Sequence, residues 1–89
     1  MNEILRKRKL ADNVYEYVLQ ADDVVKNAKP GQFVIVITDE GGERVPFTIC
    51  DYDKEKGTLT LLIQTVGATT EKIARLNEGD SLLHLVGPL

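Results

Sequence analysis

The chain has 89 residues, 43% of them hydrophobic, with a formal net charge of −3 and one cysteine. That is enough for one small domain with a modest core, and too apolar for a disordered segment. A lone thiol excludes a disulfide framework or a CxxC metal pair, and net acidity with no tryptophan and 6% aromatics argues against a nucleic-acid stacking surface.

The basic residues Arg6, Lys7, Arg8 and Lys9 face only Glu3 within residues 1–11, making that stretch +3 and the remainder −6. The RKRK run reads as a solvated strand edge guarded by cations, with contact to a phosphate-bearing ligand as the second reading. No apolar run follows the charged start to make a secretory leader, and none is long enough to span a membrane. A cytoplasmic location is expected.

Residues 4–10 and 14–19 read as strands about the Asp12-Asn13 turn, with Tyr15, Tyr17 and Leu19 on one face of the second. Residues 22–28 make a short helical or extended excursion that Pro30-Gly31 ends. FVIVI at 33–37 is apolar on both faces, the pattern of a strand covered on both sides. Asp39-Glu40-Gly41-Gly42 is a turn, and the chain returns through Val45–Cys50.

After a turn at 54–57, residues 58–65 alternate Leu59, Leu61 and Ile63 against a more polar face. The period then lengthens: Ile73 and Leu76 mark a two-turn helix, with Thr69 or Thr70 available as its cap. Asn77–Asp80 stops it, and Ser81–Val86 is a last strand. Six or seven short strands and one short helix are expected to close as a small antiparallel barrel, with a sandwich as the alternative.

Side-chain-driven hydrolysis finds little support. The single histidine, His84, and the single serine, Ser81, both lie in the last strand without an evident partner. Asp51 and Asp53 flank Tyr52 beside a turn, where solvation explains them. Two stretches have a ligand chemistry instead. In VGATTEKI, at 66–73, Gly67 permits close backbone approach and Thr69 and Thr70 add hydroxyls at a helix start, which suits a phosphate as well as a plain cap. In RVPFT, at 44–48, a guanidinium matched to phosphate oxygens precedes Pro46, Phe47 and Thr48. Nothing local shows whether the two stretches meet.

Four stretches together resemble the N-terminal flavin-binding domain of the ferredoxin–NADP reductase superfamily: KPGQFVIV (29–36), RVPFTI (44–49), VGATTEKIARL (66–76) and GDSLLHLVGPL (79–89). The nearest branch contains the small subunit of NADH-dependent ferredoxin–NADP reductase and sulfide dehydrogenase, and the electron-transfer subunit of dihydroorotate dehydrogenase. The resemblance implies a six-stranded antiparallel Greek-key barrel over residues 1–89, with one short helix, as a fragment of a longer two-domain chain. It implies FAD as cofactor and a larger redox subunit, carrying iron–sulfur or flavin, as partner. Arg44 would neutralise the pyrophosphate. Pro46, with Arg44, Phe47 and Thr48, matches the family's Arg-x-Pro-[Leu/Phe]-[Ser/Thr] feature; Thr48, with backbone at Phe47 and Ile49, would address the isoalloxazine edge, and Gly67, Ala68, Thr69 and Thr70 would wrap the diphosphate. Phenylalanine stands where plant-type relatives have tyrosine, and the cysteines of a relative's iron–sulfur cluster are absent. NAD(P)H would bind a domain outside these residues, so the fragment alone is not expected to turn over. The competing reading is a non-catalytic barrel module that docks onto a larger redox subunit.

Overall fold

A computed structural model describes residues 2–29, 31–37, 43–82 and 84–89. The expected turn at 39–42 and the Pro30 stop lie outside them. Eight strands and two helices follow in the order β1 (Asn2–Ala11), β2 (Val14–Gln20), α1 (Asp22–Val25), β3 (Phe33–Ile37), β4 (Val45–Thr48), β5 (Asp51–Asp53), β6 (Thr58–Gln64), α2 (Ala68–Ala74), β7 (Ser81–Leu82) and β8 (His84–Val86). They form a five-stranded sheet, β5-β6-β2-β1-β7, and a three-stranded sheet, β4-β3-β8, with every pairing antiparallel.

Neither sheet closes on itself among the described residues, which corrects the expected six-stranded barrel to an open two-sheet all-β fold. The difference arises where the chain changes partners. Residues 45–50 read as one strand, but β4 pairs with β3 and the following β5 pairs with β6 in the other sheet. Residues 81–86 likewise divide, β7 against β1 and β8 against β3. Two sheet-switching segments turn the expected count into eight and leave edges at β4, β5, β7 and β8.

Alternation in the long strands builds the core. Tyr17 and Leu19 from β2, Leu59, Leu61 and Ile63 from β6, and Ile4 from β1 meet Val34 and Val36 from β3. Val24 and Val25 of α1 and Ile73 of α2 plug the same interior. Register shifts at Ile4/Arg6 and Lys9/Ala11 bend β1 as bulges do. The turn before β6 depends on Gly57, at φ +68, where a Cβ would overlap the Asp22 carboxylate. Among the described residues, no helix is long and apolar enough to cross a membrane.

Candidate functional site

The site grows from the alternation of β4. Val45 and Phe47 turn inward, Phe47 packing on the core, while Pro46 and Thr48 are exposed. Arg44 precedes them in the same phase, exposed and with no hydrogen-bond or ion-pair partner among the described residues. Pro46 lacks an amide proton, which is tolerated because β4 is an edge strand. It also discourages another strand from adding there, and so keeps the Arg44–Thr48 edge accessible.

Across the sheet, Phe33 lies opposite Thr48 and Ile35 opposite Pro46. Phe33, Pro46 and Thr48 line an open depression on the outer face. Further along, Ile35 pairs with Val86, and the Phe33 N–H and carbonyl bond Leu89 at 3.3 and 2.9 Å. Phe33, Val86 and Leu89 are all exposed large hydrophobics. The doubly apolar FVIVI pattern thus has its inner face covered by the core and its outer face open.

The second element of the site is the loop entering α2. The Thr70 hydroxyl accepts from the Val66 and Gly67 N–H groups at 2.9 and 3.1 Å and donates to the Gly67 carbonyl at 3.0 Å. Thr70 is 7% exposed, so its hydroxyl is spent within the loop and fixes its shape. The N-cap is Gly67, rather than Thr69 or Thr70, so the N-cap residue has no side chain for the helix N–H groups to donate to, and Thr70 at the third helical position reaches back to the Gly67 N–H instead. Gly67 has φ −177°, open to any residue, and a Cβ there would meet nothing within 4 Å. Neither backbone conformation nor packing explains a glycine at this position.

The two stretches meet. Thr69 Oγ1 donates to Glu43 Oε2 at 3.0 Å, and Glu43, Val45 and residues 66–70 line one groove of about 220 Å³. Arg44 lies between Glu43 and Val45 in the chain but lines neither this groove nor the depression at Thr48. Glu43, Phe33 and Val66 went unnoticed in the sequence. For Phe33 the signal was present, in the apolar outer face of FVIVI; for Glu43 and Val66 nothing local distinguishes them.

No family model matches the chain. Individual proteins do. It is 51% identical over its full length to an uncharacterised protein of the adh 3′ region of Clostridium beijerinckii, and 40% identical to the Thermotoga maritima homologue of the dihydroorotate dehydrogenase B (NAD(+)) electron transfer subunit. The solved NADH-dependent reduced ferredoxin–NADP oxidoreductase, studied for flavin-based electron bifurcation, matches 99% of the chain at 40% identity with a TM-score of 0.96. In sequence and fold, the chain matches the ferredoxin–NADP reductase and dihydroorotate dehydrogenase B electron-transfer family at moderate identity. It spans only 30% and 32% of the two relatives and 32% of the solved chain.

Other candidate groups have structural roles. Lys7 Nζ donates to the Ala74 carbonyl at 2.6 Å and lies 4.9 Å from the Tyr15 ring centre, so this member of the RKRK run secures the C-terminal end of α2. Arg8 pairs with Glu16 at 3.5 Å. Asp53 accepts the Glu55 and Lys56 N–H groups in a turn, and Asp51 accepts from Tyr52 N–H. Cys50 is exposed and free, His84 is exposed on β8, and the described residues contain no cluster suited to a metal.

Proposed function

We propose that this chain is the FAD-binding domain of an NAD(P)H-linked electron-transfer flavoprotein that works with a larger redox subunit. The observation that carries this reading is the continuity of the outer edge of β4 with the Gly67 loop. A depression able to take a flat ring lies at Phe33, Pro46 and Thr48. Four residues along the strand, about 13 Å at 3.3 Å per residue, is an unpaired guanidinium. In the groove lined by its chain neighbours Glu43 and Val45 is a glycine whose open Cβ position leaves room for a ligand's backbone-close approach.

These features fit a flavin dinucleotide. Arg44 would neutralise the diphosphate, with Gly67, Ala68 and Thr69 alongside and Thr70 holding the loop in shape. Thr48 would hydrogen-bond the isoalloxazine edge, with Pro46 and the backbone at Phe47 beneath it. The Ile49 N–H is already donated to the Gln32 carbonyl at 3.0 Å, so it is not free for the ring. Bound FAD supplies the redox chemistry, while the chain's own residues bind it, orient it and shield one side from water. The similarity to nicotinamide-linked relatives supports NAD(P)H binding by sequence beyond the third of their length matched here.

The open apolar face also favours a second reading, in which the domain docks on a redox subunit without holding flavin. Calorimetric titration with FAD, FMN and riboflavin separates the two. FAD binding at least tenfold tighter than riboflavin is expected, because only FAD presents the diphosphate. Equal affinities would remove the diphosphate roles of Arg44 and the Gly67 loop, and no binding of any flavin would overturn the proposal in favour of docking.

A further inference from the structure

β2 covers one side of β1 along its length, but on the other side β7 meets only Asn2 and Glu3. From Arg6 to Ala11 that second side is a sheet edge, about 17 Å long at 3.3 Å per residue. The Glu78 carboxylate accepts the Lys7 N–H there at 3.1 Å, in the place a neighbouring strand would fill with a carbonyl. By the alternation of the strand, the Lys7 carbonyl and the Lys9 N–H and carbonyl point the same way. Two cations of the strand have internal roles, Lys7 at the end of α2 and Arg8 against Glu16. Arg6 and Lys9 are exposed and have no hydrogen-bond or ion-pair partner among the described residues.

A cationic edge alone is explained as a guard against strand addition. Such a guard does not require exposed leucines. Each register shift of β1 sets two of its steps against one of β2, and the extra residue is Leu5 in the first and Leu10 in the second. A bulge re-aims its side chain. Leu5 and Leu10 are 41% and 46% exposed, one at each end of the cationic run.

We propose that the β1 edge from Leu5 to Leu10 is a docking surface for a partner protein presenting an extended, carboxylate-rich segment with apolar side chains. Charge decides the sign of the partner. Residues 1–11 carry +3 and the remainder −6, so the body repels an acidic partner and the edge attracts it. Arg6 pairs with Val18 and Lys9 with Tyr15, on opposite faces of the sheet. On a central strand they would address different neighbours; at an edge both reach around one segment. Glu78 already supplies a carboxylate to an outward N–H of this strand. A second copy of the chain added in the same way would set RKRK against RKRK, which like charges oppose. The surface lies apart from β4 and the Gly67 loop and does not depend on flavin binding.

The test is fluorescence anisotropy of a dye-labelled peptide alternating glutamate with valine, beside the same peptide with glutamine for glutamate, titrated with the protein. At about 20 mM salt the acidic peptide should bind about tenfold or more tighter than the glutamine peptide, a difference mostly removed at about 200 mM. Arg6→Glu with Lys9→Glu should weaken the acidic peptide on the order of tenfold, and Leu5→Ser with Leu10→Ser roughly three- to tenfold. Lys54→Glu with Lys56→Glu makes the same charge change on the turn before β6 and should leave affinity within about twofold. Unfolding midpoints separate a lost contact from a lost fold, and Arg6→Gln with Lys9→Gln replaces the reversal if it destabilises. Equal binding of the two peptides, or equal weakening by the Arg6/Lys9 and Lys54/Lys56 pairs, would overturn the proposal. Unchanged affinity in the leucine pair would overturn the apolar part of it. Binding to phosphatidylglycerol vesicles without peptide binding would overturn it in favour of an anionic membrane, and binding to neither would leave the run a guard.

Discussion

Arg44 is available because of its neighbour: Pro46 ends the possibility of a further strand on that edge, and nothing in the described chain pairs with the guanidinium. An exposed, unpaired arginine contributes little to stability, whereas a charge-assisted contact to phosphate contributes about 1.5–3 kcal/mol. Arg44→Ala should therefore weaken FAD binding roughly 10- to 100-fold while changing unfolding free energy by less than about 0.5 kcal/mol. Titration and denaturant unfolding of the same sample check both; a large stability loss would mark Arg44 as structural. Gly67 makes a sharper case. Its extended backbone and empty Cβ surroundings permit alanine, so Gly67→Ala should cost under about 1 kcal/mol of stability. A methyl group placed against an approaching diphosphate should nevertheless lower FAD affinity several-fold and leave riboflavin affinity less affected. The residue types of this site were legible in RVPFT and VGATT, because guanidinium, glycine and hydroxyl each have a definite ligand chemistry. Their meeting was not legible, since it depends on a hydrogen bond between Glu43 and Thr69 across separate elements.

At the scale of elements, α2 is held in place from β2 and β1. The Tyr17 hydroxyl lies 2.7 Å from the Ile73 carbonyl and 3.0 Å from that of Leu76, and Lys7 reaches the Ala74 carbonyl. Burial pushes the Tyr17 hydroxyl up to about 12, with the charges of Tyr15 and Asp80 adding to it. Tyr17→Phe should cost about 0.5–1.5 kcal/mol by removing the hydroxyl's hydrogen bond to the Ile73 and Leu76 carbonyls, the first of which keeps the Leu76 N–H at 3.0 Å. The pH dependence has a definite sign. Below the ordinary value of 10.0 the group is protonated in both states and its contribution is constant. Between 10.0 and about 12 the unfolded chain releases the proton first, so stability falls as pH rises. The parent should lose on the order of 2–3 kcal/mol across that window relative to Tyr17→Phe, in paired denaturant titrations from pH 9 to 12. A parallel pH profile in the variant would show that Tyr17 ionises freely. The packing side of this arrangement was readable: Tyr17 and Leu19 share a face in VYEYVL, and Leu59, Leu61 and Ile63 alternate in β6. The division of 45–50 and 81–86 between sheets was not, because alternation records which face a residue takes and carries no record of which strand lies beside it.

For the whole molecule, the consequential feature is an imbalance between two faces of one sheet. The inner side of β3 is among the best buried surfaces, with Val34 and Val36 at 0% and 1% exposure, while Phe33 directly beside them is 39% exposed. In a chain this short the core supplies only a few kcal/mol of net stability, so covering the outer face should be felt by the entire fold. A ligand that binds the folded state alone stabilises it by about 2.7 kcal/mol at a free concentration 100 times its Kd. For a domain of this size each kcal/mol moves the melting temperature by about 4–8 °C. FAD at that excess should accordingly raise Tm by roughly 10–20 °C, and riboflavin at the same absolute concentration should raise it much less. Arg44→Ala should remove most of the FAD shift while starting from nearly the same unliganded Tm. A shift of equal size with both ligands would place the binding energy in ring burial alone and remove the diphosphate role from Arg44. Absence of a shift at saturating FAD would mean that the open face awaits a protein surface.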